Sequence, residues 1–562
     1  MNARRACNTP GNGLNGERGS AVNDNRAERY RLAGWWTGRR LIDRFEAHVG
    51  EGPGQLAVVS DGAAMSRREL WHAAGAAAEQ IRSLAGTARR PVVILLPNCA
   101  EWMVMFLAVL RAGHVPATPP VTTPEAHLRH IFELIRPALV VCNGQGPGDR
   151  PSDAVRRAAA AAAGGPVPMA VAQGGRLALD GPPIALAVAA DVPEITAHLM
   201  FTSSTTGPPK AVSHSEDSLA ALNMQFAERF DLDQHTPVFM PSPLGHSVGA
   251  IHGCRLSLFV GAPLILQDEW DAQAALELVD RHGAEFTAAA TPFLLDLADA
   301  RWEAGQPKLA SMRSFLCGGA QVPPALIRRC RAEMPNTFVT PLWGMTEGGL
   351  TTCVRASTES QVETTVGVGL PGLELRVVEA DGVLHYAGSG ELVMRGPGVF
   401  NGYYGQPQLY AAELVGDGWF RTGDLARIDA DGYVSITGRL KDLIIRGAVN
   451  ISPVETENAI AAHPEVIGVA VIGWPDERLG ERICAAVHAR IPLSLDDVLA
   501  YCAEQGLPRR YWPERLVHVD GFPRTAAGKI RKQQLRDELV AAGEPAEATP
   551  GSGAGPERDT VQ

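Results

Sequence analysis

Apolar positions recur along the chain with two periods. Residues 91–96 (PVVILL) are an unbroken apolar run, the pattern of a strand buried on both faces. Residues 101–110 then repeat apolar side chains at helical spacing. Thr123-Pro124-Glu125 reads as a helix start, with Thr123 as N-cap and Pro124 at the first helical position, and that helix runs to about Ile135. Residues 138–142 return to a short apolar strand. Strand, helix and strand in this order predict βαβ units and a mostly parallel sheet. Residues 148–181 are rich in Ala, Gly and Pro and read as a surface excursion, with a helix over the alanines as the alternative.

The pattern changes near Gly438. Residues 429–432 (DADG) form a turn signal and 433–437 a strand. Ser452-Pro453-Val454-Glu455 reads as a capping box, and its helix ends before His463-Pro464. Residues 466–473 and 482–491 read as strands, and Ser494-Leu495-Asp496-Asp497 opens a further helix. The expected class is α/β: a large N-terminal domain of several subdomains with mostly parallel sheets, then a small α+β domain. The expected boundaries are a disordered leader over 1–27, the large domain over 28–438, the small domain over 439–541 and a disordered tail over 542–562.

Composition narrows the class. The chain has 562 residues, 51 Lys and Arg against 62 Asp and Glu, and a net charge of −11. That balance argues against a general nucleic-acid binder, and 45% hydrophobic residues exclude a wholly disordered chain. The nine cysteines include no CxxC pair, so no disulfide framework or structural zinc is expected, and single thiols fit the cytoplasm. No apolar run reaches about 18 residues, so no stable membrane insertion is expected.

The sharpest local signal is Thr202-Ser203-Ser204-Thr205-Thr206-Gly207-Pro208-Pro209-Lys210, after the strand-like residues 195–201. Hydroxyls and backbone N–H groups can wrap phosphate oxygens while Lys210 neutralises charge. The spacing is not that of a Walker A loop. An exposed Ser/Thr turn is the plain alternative.

This loop resembles the phosphate loop of the acyl-adenylate-forming superfamily, and further blocks follow in family order. They are Pro243-Leu244-Gly245-His246, Gly318-Gly319-Ala320, Trp343-Gly344-Met345-Thr346-Glu347, Trp419-Phe420-Arg421-Thr422-Gly423-Asp424, Gly438-Arg439-Leu440-Lys441-Asp442 and Pro523-Arg524-Thr525-Ala526-Ala527-Gly528-Lys529. The resemblance spans residues 30–539. Its texture is similar to short- or medium-chain and alicyclic acyl-CoA ligases, and YRLAGWW also occurs in related aryl-acid activators.

The resemblance implies ATP, Mg2+ and CoA, or a carrier protein's phosphopantetheine, together with a small carboxylic acid. Glu347 is implied as the magnesium ligand and Thr346 as a phosphate donor; a helix N-cap is the plain reading of that pair. Trp343 stands where the family more often has tyrosine and would pack against adenine, or be a core aromatic. Gly318, Gly319 and Ala320 would line the adenine and acyl sites. Asp424 would accept both ribose hydroxyls, and Arg439 would contact ribose or phosphate. Lys441 marks a hinge, and Lys529 would bridge carboxylate, α-phosphate and ribose. His246 would gate the acyl pocket. Arg446 and Gly447 would line the thiol path after the small domain swings.

Departures from the family pattern are Ser204 and Ala211 for glycines, and Ala448 and Val449 in the thiol-facing loop. They leave adenylation better supported than thioester formation. The acyl pocket is expected from His246, Gly249, Ala250, Phe293, Gly318, Trp343 and Gly348, and suits an aliphatic, alicyclic or simple aromatic acid. The leading expectation is an AMP-forming acyl-CoA ligase. A stand-alone enzyme loading a separate acyl carrier protein is the alternative, and an impaired ligase-like binding protein is a third.

Overall fold

The computed structural model describes residues 18–543, apart from 61–62, 145–150, 163–166, 181–191, 203–206, 303–307, 320–321, 380–381, 448 and 525–528, with side chains from residue 25 onward. The expected assignments for Ser203, Ser204, Thr205, Thr206, Ala320 and Ala448 lie outside the described residues, as do nearly all of the tail and residues 1–17 of the leader.

Four sheets organise the described chain. In an eight-stranded sheet, His198–Phe201, Val115–Thr118, Pro91–Leu95, Leu139–Cys142 and Met169–Gln173 run parallel, as the βαβ reading predicts. Pro91–Leu95 is buried along its whole length, which explains its unbroken apolar run. A nine-stranded sheet has a parallel centre that includes Phe286–Ala290, Ser314–Gly318 and Phe338–Met345. A core cluster of helix Ala100–Arg111 (Trp102, Phe106), helix Glu216–Phe230 (Leu222, Phe226) and strand side chains Ala288 and Leu316 unites these two sheets.

The third sheet, from Glu374–Val378 to Val434–Arg439, is antiparallel throughout its pairs. The fourth joins Ile444–Arg446, Val449–Ile451, Val466–Asp476, Gly480–Ala489 and Arg515–His518 around its own apolar cluster. The chain changes sheet between Arg439 and Ile444.

Several local expectations are corrected. The chain is already helical over Arg18–Leu32, inside the expected leader, and is tied down by polar contacts: Arg26 donates to the Gly418 carbonyl at 3.3 Å and Arg29 meets Glu374 at 3.3 Å. Such tethering leaves no apolar period to read. Pro124, not Thr123, is the N-cap of helix Glu125–Ile135; its extended ψ of 149° holds it outside the helix. The excursion over 148–181 holds a helix, Asp153–Ala161, and a hairpin, Met169–Gln173 with Arg176–Leu179, that extends the sheet. Ser452 caps helix Pro453–Ala461 but without the expected capping box: it accepts from Val454 N rather than Glu455 N, and its hydroxyl donates to the Thr437 carbonyl.

Candidate active site

A cavity of about 410 Å³ opens between the sheets. Among its lining residues are Thr202, Lys210, His246, Gly318, Gly319, Thr346, Glu347, Asp424, Arg439, Lys441 and Lys529, so most of the described candidates converge. Its wall carries five cations (Lys210, Arg421, Arg439, Lys441, Lys529) against three carboxylates (Glu347, Glu413, Asp424). A locally cationic wall in a protein of net charge −11 suits an anionic ligand.

Thr202 directly follows strand His198–Phe201, and Lys210 precedes strand Ala211–His214. Thr202 N donates to the Lys210 carbonyl and Lys210 N donates to Thr202 Oγ1, both at 3.1 Å. These bonds close the hydroxyl-rich loop at its base. The Lys210 ammonium lies 4.6 Å from the ring centre of Tyr403, a cation–π contact.

Thr346-Glu347 is the turn between antiparallel strands Phe338–Met345 and Gly348–Thr352, not a helix start. Glu347 is only 6% exposed. An isolated buried carboxylate would cost several kcal/mol, on the order of the penalty for any unpaired buried ion. Here Tyr403 Oη donates to Oε1 at 2.8 Å, with Lys210 and Lys529 nearby in charge. Burial still wins and raises the Glu347 pKa. Thr346 Oγ1 donates to Ser247 Oγ at 3.3 Å, and His214 Nε2 meets the Thr346 carbonyl at 2.8 Å.

Lys529 reaches the cavity from the C-terminal sheet's side of the molecule. Burial, then the Arg439 guanidinium, lowers its ammonium to about 8, against the pull of Asp424 and Glu347. Gly319 has φ +82°, so the turn is what calls for glycine; a Cβ there would lie at an ordinary 3.9 Å from Lys529 Cε. His246 is held neutral, its pKa lowered to about 4 by burial and by Lys529.

The described residues hold no cluster of His, Cys, Asp and Glu that would bind a metal unaided. One carboxylate on a cationic cavity fits a magnesium ion that takes its other ligands from phosphate and water.

An AMP-binding enzyme family model matches residues 45–404, and its C-terminal domain model matches 455–529. The chain belongs to the AMP-binding enzymes, the acyl-adenylate-forming superfamily. It is 31% identical over 540 residues to the medium-chain fatty-acid–CoA ligase of Escherichia coli K12, covering 92% of this chain and 94% of that one. It is 30% identical to the salicyl-AMP ligase / salicyl-S-ArCP synthetase of Mycobacterium tuberculosis H37Rv, covering 92% and 93%. The ATP-bound MatB structure from Rhodopseudomonas palustris superposes with TM-score 0.77 at 28% identity, covering 90% of this chain and all of that one.

In this AMP-binding enzyme some expected site residues lie elsewhere. Trp343 is outside the cavity wall, packed in an apolar cluster with Phe420 and Tyr403. Its indole N–H is turned to Asp424, so it is the core aromatic of the alternative reading rather than a cavity-wall platform for adenine. Arg446 and Gly447 are also outside the cavity. Arg446 pairs with Glu514 through Nε and Nη2 at 2.9 and 3.0 Å. Gly249 and Ala250 are packing residues: a Cβ on Gly249 would meet the Pro243 carbonyl oxygen at 2.3 Å. Sequence reasoning missed Tyr403, Leu222, Ile251, His252, Ala288 and Leu316 as site residues. None carries a local motif; only the fold brings them to the wall. No described helix is long and apolar enough to cross a membrane.

Proposed function

We propose that this protein activates a small carboxylic acid with ATP and passes the acyl group to a thiol, as an AMP-forming acid–thiol ligase. What carries the reading is the meeting of Lys529, Glu347, Asp424 and Arg439 in one cavity whose wall also includes the apolar side chains Leu222, Ile251, Ala288, Leu316 and Leu350. The cationic wall receives nucleotide and the apolar wall receives the acid.

In the first step a carboxylate oxygen attacks the α-phosphorus, the bond to the bridging oxygen breaks, and pyrophosphate leaves with its electron pair. Two anions must meet, so placement and positive charge are the main needs. Lys529 holds the carboxylate and α-phosphate together. Lys210, Thr346 and the Thr202 loop hold the outer phosphates, and Asp424 with Arg439 orients the ribose. Glu347 would hold magnesium, which supplies charge neutralisation on the phosphates. In the second step the thiol sulfur attacks the acyl carbon, its proton is lost, and AMP departs.

Lys529 inside the cavity and Arg446 outside it fit the adenylating arrangement. The change of sheet after Arg439 supports a boundary between a large domain ending near 438 and a small domain over 439–541, with Lys441 as the hinge. The acid is aliphatic, alicyclic or simple aromatic, and CoA is the acceptor. Likeness to a salicyl-S-ArCP synthetase over most of both chains keeps a separate carrier protein as the second reading. The free buried thiols fit the cytoplasm.

The test is an acid panel in ATP–pyrophosphate exchange, repeated with CoA or carrier protein while thioester is followed by mass. Carrier-only loading would replace the CoA reading. No exchange with any acid would leave only the impaired, ligand-binding reading.

A further inference from the structure

Strand Ala211–His214 ties together the groups assigned above to phosphate and magnesium. Lys210 stands just before it. Along one edge it pairs with Gly402–Tyr403, with Tyr403 opposite Val212. That pairing sets the Tyr403 ring against Lys210 and its hydroxyl against Glu347. At the strand's far end, His214 Nε2 lies 2.8 Å from the Thr346 carbonyl oxygen. A carbonyl oxygen only accepts, so Nε2 carries the ring proton. Nδ1 lies 3.3 Å from the Ser218 hydroxyl, in the first turn of helix Glu216–Phe230. His214 and Ser218 are both fully buried, and burial lowers the His214 pKa to about 4, so the ring is neutral. With both nitrogens met, its tautomer and orientation are fixed.

The Thr346–Glu347 turn needs such a support. Its flanking strands shift register between Gly344 and Met345, and Gly348 closes the turn at φ +95°. Strand pairing alone therefore does not set its conformation. Bonds from outside do. Phe400 N donates to the Glu347 carbonyl at 2.9 Å, and Tyr403 holds the carboxylate. His214 holds the peptide that joins Thr346 to Glu347, and it stands behind the cavity wall rather than on it.

We infer that His214 is a positioning residue for magnesium-bound ATP: through the Thr346 carbonyl it fixes the peptide from which the Thr346 hydroxyl and the Glu347 carboxylate enter the cavity. The inference rests on the ligase reading above. His214 touches neither nucleotide nor metal. It acts by holding one peptide of the turn at a set distance from the strand that follows Lys210.

The test is calorimetry on the full chain, with ATP plus magnesium and, separately, with AMP alone. AMP lacks the outer phosphates and needs no ion. His214→Phe fills the ring's space and cannot donate. Its affinity for ATP with magnesium should fall about tenfold, one hydrogen bond's worth, while AMP affinity stays unchanged. His214→Gln, whose amide N–H reaches the place of Nε2, should restore most of the loss. A merely structural role would lower the fraction of chain that binds, or weaken both nucleotides alike. Unchanged ATP affinity in His214→Phe overturns the inference, as does equal weakening of AMP or no recovery in His214→Gln. If His214→Phe does not fold, His214→Asn replaces it with the same expectations, since its shorter amide stops at the place of Nδ1. If the wild-type chain binds neither nucleotide, the ligase reading itself fails and the inference falls with it.

Discussion

The indole N–H of Trp343 donates to Asp424 Oδ2 at 2.8 Å, while Arg439 Nε meets Oδ1 of the same carboxylate at 2.8 Å. Asp424 is 4% exposed, so both oxygens are oriented by protein donors before any ribose arrives. Trp343→Phe keeps an aromatic of smaller size and deletes the donor. It should cost about 1–3 kcal/mol of stability by leaving a buried oxygen unmet. It should also raise KM for ATP more than it lowers kcat. Denaturant midpoints and pyrophosphate-exchange kinetics check both; unchanged values would mean that the bond does not orient Asp424.

Lys529 must be charged to hold two anions together. Its folded-state pKa is lowered to about 8, so the ammonium is present below that pH and lost above it. For the free enzyme, kcat/KM of adenylation should therefore be flat below about 8 and fall as pH rises beyond it. Lys529→Ala should cripple adenylation more than thiolysis of supplied acyl-adenylate. Equal loss in both steps would refute this division of labour. Lys529→Arg should move the alkaline limb out of range, because guanidinium stays charged.

Tyr403 joins two groups of the phosphate end, donating to Glu347 Oε1 and facing Lys210 with its ring. Tyr403→Phe keeps the ring contact and removes the donor. Glu347 would lose its orienting bond, and the magnesium concentration for half-maximal exchange should rise about tenfold. A magnesium titration of the exchange rate reads this directly. No shift would place Glu347's orientation under other control.

Arg446 is held away from the cavity by Glu514, which also takes Arg482 Nη1 at 3.1 Å. These side chains are partly exposed, so the cluster stabilises by no more than about 1 kcal/mol per pair. A pairing that weak can be exchanged when the small domain turns. Arg446→Ala should slow thioester formation more than pyrophosphate exchange, measured in parallel on the same acid. A larger effect on exchange would tie Arg446 to the first step instead.

Much of the site was legible because its residues come in ordered local blocks. Thr202 and Lys210, Thr346-Glu347, Asp424, Arg439 and Lys529 all reach the one cavity. The roles of Trp343 and Arg446 were not legible. A motif gives a residue's place along the chain, whereas the direction of an indole or a guanidinium depends on the partner that the fold sets opposite it. For Trp343 that partner is Asp424, 81 positions away; for Arg446 it is Glu514, 68 positions away.

The sequence by itself determined the parallel βαβ core, through short apolar runs at strand and helix periods, and the family, through the ordered blocks. It also marked residues 202–206 as a run of five hydroxyl residues, of which Thr202 lines the cavity. Tertiary structure alone decided that Trp343 orients Asp424 and that Tyr403 steadies Glu347. Those relations are contacts between segments far apart in sequence. They are set by burial, which forces each polar group to find a partner across the fold or to await one from the ligand.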